Sequence, residues 1–223
     1  MVKVIDRAVL FLSLAVLLLF VPLAYLHGTD GFAVDALIFA ALSVFFFSTR
    51  RVWNLSTPVF IMLVLGFTLH LCGVFGWYYK SPIPVQWDHV THLFGLMGYA
   101  LLFAGFAQDW LSVKWSRKNF AIVLMVFLAA FGIGALIELS EFLGYLKLGF
   151  GDGGLMFGAG DGLPGSDVIE DIGGGWINTG WDLIYNFIGV SLGLMVWFAS
   201  RAFVRKPRTA YYFEQPSTFS KRL

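Results

Sequence analysis

The sequence predicts an all-α membrane protein, a polytopic bundle of about six transmembrane helices. Of its 223 residues, 58% are hydrophobic and only 13% are charged, a balance too apolar for a soluble domain of this size. Six apolar segments are long enough to cross a hydrocarbon core of about 30 Å at about 1.5 Å per residue. Lys and Arg residues also gather in alternate connections between those segments, as they do in multi-pass proteins.

The predicted spans lie, in chain order, at 6–26, 32–48, 57–79, 88–108, 120–143 and 179–204. In the first, the apolar stretch comes after Lys3 and Arg7, as in a signal peptide, but no small-residue cleavage site follows it, so we expect a retained helix. The spans make one transmembrane bundle over 1–205. A glycine-rich connection at 144–178 is expected outside the cytoplasm, and the tail at 206–223 inside it.

The distribution of basic residues predicts the orientation. With the N-terminus in the cytoplasm, thirteen of the 15 Lys and Arg residues face the cytoplasm, and only Lys80 and Lys147 fall outside. Both termini are therefore expected inside, in a plasma or inner membrane. The net charge of +1 gives no reason to expect nucleic acid as a partner. Gly189 and Gly193 have the small-xxx-small spacing of a close helix contact.

The connection at 144–178 is unusually rich in glycine. It holds twelve of the 25 glycines, which argues against a packed domain of its own. Its acids are Asp152, Asp161, Asp167, Glu170 and Asp171. The pieces Gly151-Asp152-Gly153-Gly154 and Asp161-Gly162 suggest a calcium loop, but the ligand spacing of an EF-hand is absent. We expect a polar loop that could fold over the membrane face.

Three polar pairs at helical spacing mark the predicted site. They are Asp88 with His92, Glu138 with Glu141, and Asp182 with Asn186. Spacings of three and four residues place each pair on one helix face. All three pairs fall near the extracytoplasmic ends of their spans, and ionisable groups within spans indicate a functional site. We therefore expect them to converge on one pocket, with Asp35 and His70 at the same depth.

Four carboxylates with few basic neighbours favour a bound cation. A divalent metal such as Zn, Mn or Mg would be held by oxygen and imidazole ligands. The predicted ligands are Asp88, His92, Glu138, Glu141 and Asp182. In a hydrolase, water on the metal would be the nucleophile, Glu138 or Glu141 the general base, and Asn186 a group that orients ligand or substrate.

Simpler interpretations of the same residues stay open. Asp88 and Asp182 could each cap the start of a helix. Glu138 and Glu141 could border water if the fifth span ended early. His70 is more typical of a hydrogen-bonded core histidine than of a ligand. His89 is expected at the membrane interface and Cys72 in packing.

The polar pairs also carry a resemblance. Their order is Asp88-xxx-His92, Glu138-xx-Glu141, then Trp181-Asp182-xxx-Asn186 followed by Gly189. Over roughly residues 85–195 this resembles the VanZ-like membrane proteins, and more closely their YjdF-type inner-membrane relatives. Phe142 stands where those relatives tend to have Trp, and the glycine-rich connection is not one of their signatures. The resemblance implies a link to glycopeptide tolerance and the cell envelope, without an assigned reaction.

Three functions remain open at this point. The first is a protein whose pocket binds a metal or proton and acts on an envelope lipid or lipid-linked substrate, as a metal-dependent hydrolase would. The second is a small proton- or cation-coupled transporter or lipid flippase that uses the same carboxylates as a relay. The third is a non-catalytic envelope assembly protein. Membrane lipids are the expected partners, and a homo-oligomer is a further expectation.

Overall fold

The computed structural model describes residues 4–114, 116–148 and 168–203, and in these ranges it contains helices and no strands. The helices are α1 Val4–His27, α2 Gly31–Ser48, α3 Thr57–Leu71, α4 Trp87–Phe106, α5 Arg117–Leu148 and α6 Val168–Phe203. A 3₁₀ turn, Cys72–Phe75, continues α3. Each of the six helices, α3 together with its 3₁₀ turn, contains a stretch long and apolar enough to cross a membrane. The all-α class and the six spans are confirmed.

The helices run antiparallel, which gives the bundle two distinct ends. Near the start of α1, Asp6 Oδ2 lies 3.0 Å from Arg50 Nη1 after α2, and Thr57 Oγ1 at the start of α3 donates to Asp6 Oδ1 at 2.7 Å. At the opposite end, the His27 ring meets the Phe75 ring edge-on at 5.6 Å. We call the first the basic end, because it also carries Arg7, Arg51, Arg117, Lys118 and Arg201. We call the second the site end. Which of the two ends faces the cytoplasm stays a prediction.

The core is divided into two packed halves. Helices α1, α2 and α3 enclose an aromatic-rich cluster in which Phe39 and Phe67 stack with centroids 4.6 Å apart. Helices α4, α5 and α6 enclose a second cluster that includes Leu96, Ala130 and Val190. The halves meet where α3 crosses α4 closely, since a Cβ added to Gly66 would lie 2.9 Å from the Cα of Gly95.

The closest helix packing in the second half joins α4 to α6. A Cβ on Gly189 would collide with the carbonyl oxygen of Leu93, and one on Gly193 would lie 2.7 Å from the carbonyl oxygen of Met97. The predicted glycine contact face is confirmed. Its partner is the backbone of α4, so the polar pairs of α4 and α6 are carried on helices that touch through their main chains.

Replacing Gly189 with alanine should loosen this close contact between α4 and α6. The new methyl group cannot be accommodated by a rotamer change, because the atom in its way belongs to the backbone of α4. Overpacking of this kind costs about 1–3 kcal/mol. Gly180→Ala on the same helix is the matched control, because a Cβ there meets nothing within 4 Å. A lower thermal unfolding midpoint in detergent for Gly189→Ala alone would show that this contact stabilises the fold, and equal midpoints would contradict it.

Several helix ends differ from the approximate ends of the predicted spans. The third span was expected to reach residue 79, but the helix gives way to a 3₁₀ turn and stops at Gly76, whose φ of +75° only glycine adopts readily. The fifth helix runs on to Leu148 rather than 143.

The sixth helix begins at Val168, so residues 168–178 of the predicted connection are helical, with Glu170 and Asp171 among them. The triple glycine at 173–175 suggested a loop, since glycine is a poor helix former, but Val168, Ile172 and Trp176 keep a helical apolar spacing. The rest of the connection, 149–167, lies outside the described residues. With it lie Asp152 and Asp161 of the suggested calcium loop.

Candidate functional site

The three polar pairs meet at the site end, between α4, α5 and α6. His92 lies at the centre: its Nε2 is 3.4 Å from Asp88 Oδ1 and 3.9 Å from Glu141 Oε1, and its Nδ1 is 3.7 Å from Glu138 Oε1. Asp88, His92 and Glu141 are buried, and Asp182 is fully buried. The structure therefore places all five predicted ligands in one cluster, although their roles stay predictions.

A hydrogen bond from α6 fixes the orientation of His92. His92 Nδ1 lies 3.0 Å from Asn186 Oδ1, an oxygen that can only accept, so Nδ1 carries the proton and donates. In the neutral ring, the lone pair of Nε2 then faces Asp88 and Glu141. Histidines that bind metals are usually held in this way by a hydrogen bond from the other ring nitrogen.

Asn178 joins the carboxylates of α4 and α6. Its Nδ2 donates to Asp182 Oδ2 at 2.7 Å and to Asp88 Oδ2 at 3.3 Å. Glu138 on α5 lies on the other side of the ring, with its Oε1 3.7 Å from His92 Nδ1. Asp88 and Asp182 are thus positioned by one neutral amide.

Two overlapping sets of groups could hold a metal ion. Asp88, His92 and Asp182 form the first, and His92, Glu138 and Glu141 form the second. In each set, one ligand atom from every residue lies within 4.8 Å of the others. Because His92 belongs to both, it is the residue on which either arrangement depends.

Three buried polar atoms at the cluster have no hydrogen-bond partner in the described part of the chain. They are Glu138 Oε1, Asn186 Nδ2 and His89 Nε2. Buried polar groups are rarely left in this state unless a water, an ion or a ligand satisfies them. A carboxylate oxygen and an imidazole nitrogen without partners are suited to a cation, and this observation is independent of the acidic cluster itself.

The simpler interpretations of the acids are wrong. Gln86, not Asp88, occupies the N-cap of α4, and Asp182 lies well inside α6. Helix α5 continues past Glu138 and Glu141 to Leu148, and their side chains are only 9% and 10% exposed, so they do not border water at a helix end.

Sequence reasoning missed two members of the site, His89 and Asn178. His89 was expected at the interface, but its ring stacks on Tyr185 with centroids 4.4 Å apart, and Nε2 lies 3.9 Å from Asp182 Oδ1. Asn178 was assigned to the loop. Its signal was the stripe of Asn178, Asp182 and Asn186 at four-residue spacing, which is visible only if α6 starts before residue 178.

Asp35 and His70 form a separate hydrogen-bonded pair in the first half of the bundle. His70 Nε2 lies 3.1 Å from Asp35 Oδ2, and its Nδ1 lies 2.7 Å from the Tyr78 hydroxyl. Both ring nitrogens are therefore engaged, which matches the prediction of a hydrogen-bonded core histidine. Cys72 is a free thiol beside the aromatic core, as expected of a packing residue.

Comparison with known proteins identifies a family. The model of a family described as "Predicted membrane protein (DUF2238)" matches residues 7–203. No curated protein and no solved structure matches the chain.

Proposed function

The chain belongs to the DUF2238 family of predicted membrane proteins, and we propose from the geometry of its site that it binds a divalent cation between α4, α5 and α6 and uses that ion on an envelope lipid or lipid-linked phosphate. The observation that carries the proposal is the convergence of Asp88, Glu138, Glu141 and Asp182 around the buried His92. In the described residues, neither Asp88 nor Glu138 forms an ion pair with Lys or Arg. Their ion pairs are with His92.

The physical argument concerns the free-energy cost of placing charged groups away from water. Bringing several carboxylates together away from water costs several kcal/mol for each ion unless opposite charge compensates them. His92 can supply at most one positive charge, and a divalent cation would supply two more. Carboxylate oxygens suit Mn or Mg, and the Nε2 of His92 extends the choice to Zn.

The same arrangement assigns chemical roles. A bound divalent ion would polarise a phosphoryl oxygen and lower the pKa of water, which favours hydrolysis of a phosphate ester. Glu138 and Glu141, on the α5 side of His92, are placed to accept the proton that the attacking water loses. Asn186, predicted to orient ligand or substrate, acts through its hydrogen bond to His92 in this proposal.

Counting bound metal tests the cation site. The full chain, purified in detergent and equilibrated with Mn²⁺, Mg²⁺ or Zn²⁺, should retain a stoichiometric amount of one of these ions after gel filtration. Asp182→Asn keeps the size of the side chain but removes its charge, and it should weaken binding by about tenfold or more. Asp30→Asn, at an exposed acid of the same end, is the control. Metal retained equally by all three proteins, or by none, would overturn the proposal.

Phosphate release tests the reaction. With the retained ion present, micelles that contain a lipid monophosphate should yield inorganic phosphate with the wild type and not with Glu141→Gln. Release that is equal in both proteins would remove Glu141 from the proposed chemistry. Stoichiometric metal without release would leave an ion site in an assembly protein, and proton-coupled uptake into liposomes without metal would favour a transporter.

The finer points of the sequence analysis belong to the same proposal. Kinship with VanZ-like and YjdF-type proteins, a place in the plasma membrane with both termini inside, and homo-oligomer formation are expectations that accompany it. If the orientation holds, the site end opens to the extracytoplasmic leaflet, where envelope lipids carry their head groups.

A further inference from the structure

A cavity of about 120 Å³ lies directly beside the acidic cluster. At its site-end turns the polar lining residues are His70, Asp88, Thr91, His92 and Glu141, from α3, α4 and α5, and Tyr99 lies deeper on α4. The cavity therefore lies between the Asp35 and His70 pair in one half of the bundle and the candidate metal site in the other.

Apart from Tyr99, the lining becomes apolar with depth. Along α4 it passes from Asp88 through Leu96 to Tyr99, and along α2 it includes Ile38 and Leu42, one and two turns inside Asp35. On α5, Ile137 lies one turn deeper than Glu141. A polar mouth above apolar walls matches a molecule that has a polar head and a hydrocarbon chain, rather than a small polar solute.

The cavity also has a side that faces the lipid. Helices α3 and α4 form its floor, whereas α2 and α5 form its walls and make at most marginal contact with each other in the described residues. Ile38 lines the cavity and is 41% exposed. A molecule in the bilayer could therefore reach the cavity sideways, between α2 and α5.

The depth of the cavity fits one leaflet of a bilayer. From Asp88 to Tyr99, α4 rises about 16 Å at 1.5 Å per residue. Half of a hydrocarbon core of about 30 Å is about 15 Å. We propose that this cleft holds one acyl chain of a membrane phospholipid, with the lipid phosphate at the polar mouth beside His92.

The position of the phosphate rests on the proposed function. Asp88 and Glu141 would repel a bare phosphate, so the head group needs the divalent ion as a bridge. The acyl chain does not need that ion, because its binding comes from apolar walls. Loss of metal should therefore weaken phospholipid binding without closing the cleft.

Photolabelling tests the cleft. The full chain is reconstituted in vesicles of phosphatidylethanolamine and phosphatidylglycerol with a trace of phosphatidylglycerol that carries a photoactivatable group in one acyl chain. Label should be enriched on peptides that contain Leu42, Leu96 and Ile137. Ile38→Trp narrows one wall and Ile137→Phe the other, and each should reduce cleft labelling roughly tenfold, as expected for a loss of about 1.4 kcal/mol.

Leu37→Trp is the matched control, because Leu37 is 54% exposed and does not line the cleft. Lysophosphatidylglycerol should compete with the label, and glycerophosphate, which lacks a chain, should not. Label spread evenly over outward-facing residues such as Phe11 and Leu128, or unchanged in both narrowed variants, would overturn the inference. Metal content, measured on the same samples, reports separately on the proposed cation site.

Discussion

Replacing His92 with alanine should abolish divalent-metal binding in the purified protein. His92 is the one residue common to both possible ligand sets, and its Nε2 lies within 4 Å of two carboxylates on different helices. Loss of a group that merely orients a ligand costs about 10–100-fold in metal affinity, so loss of the shared ligand should exceed about 100-fold. Metal content after gel filtration, followed by a titration of the metal-free protein, measures the effect.

His27→Ala is the control for this prediction. His27 is an exposed histidine at the same end of the bundle, in the last turn of α1, and it lies outside the cluster. Its loss should leave metal content unchanged. If His92→Ala kept the metal of the wild type while folding normally, the ion would have to be held elsewhere, and both ligand sets would be wrong.

Replacing Arg50 with methionine should cause a large loss of stability at the basic end. Arg50 Nη1 lies 3.0 Å from Asp6 Oδ2, in a pair whose side chains are only 22% and 10% exposed. Removing one partner leaves the other charge poorly solvated, and for buried pairs this costs about 3–5 kcal/mol. Because Arg50 is partly exposed, we expect about 3 kcal/mol, measured by reversible unfolding in mixed micelles.

Arg51→Met provides the comparison, since Arg51 is exposed at the adjacent position. Its loss should change stability by no more than about 0.5 kcal/mol. A double variant, Asp6→Asn with Arg50→Met, should recover part of the loss, because the uncompensated charge is then absent. Equal destabilisation by Arg50→Met and Arg51→Met would show that the pair does not stabilise the fold.

The spans could be predicted because hydrocarbon imposes a simple rule on length and polarity. Every predicted span overlaps a helix, and the second, 32–48, differs from α2 by one residue at its start. The errors fall where glycine made the local preference ambiguous. That residues 168–178 continue α6 was missed because glycine is a poor helix former and the triple glycine at 173–175 favours a loop.

The site was predictable in part for a similar reason. Helical spacing places Asp88 and His92 on one face, and alternating spans bring the pairs to one depth. What the sequence could not supply was rotation about each helix axis. That rotation turns His89 toward Tyr185 on α6 and brings the Asp35 and His70 pair beside the same cavity.

The close contact of the α6 glycines with the α4 backbone has a consequence for cation binding. With main chain against main chain at Gly189 and Gly193, the gap between Asp88 and Asp182 is fixed by backbone rather than by flexible side chains. The repulsion between these acids is therefore overcome when the bundle assembles, before any ion arrives. An incoming cation would find its ligands already gathered and would lose little affinity to reorganisation of the protein.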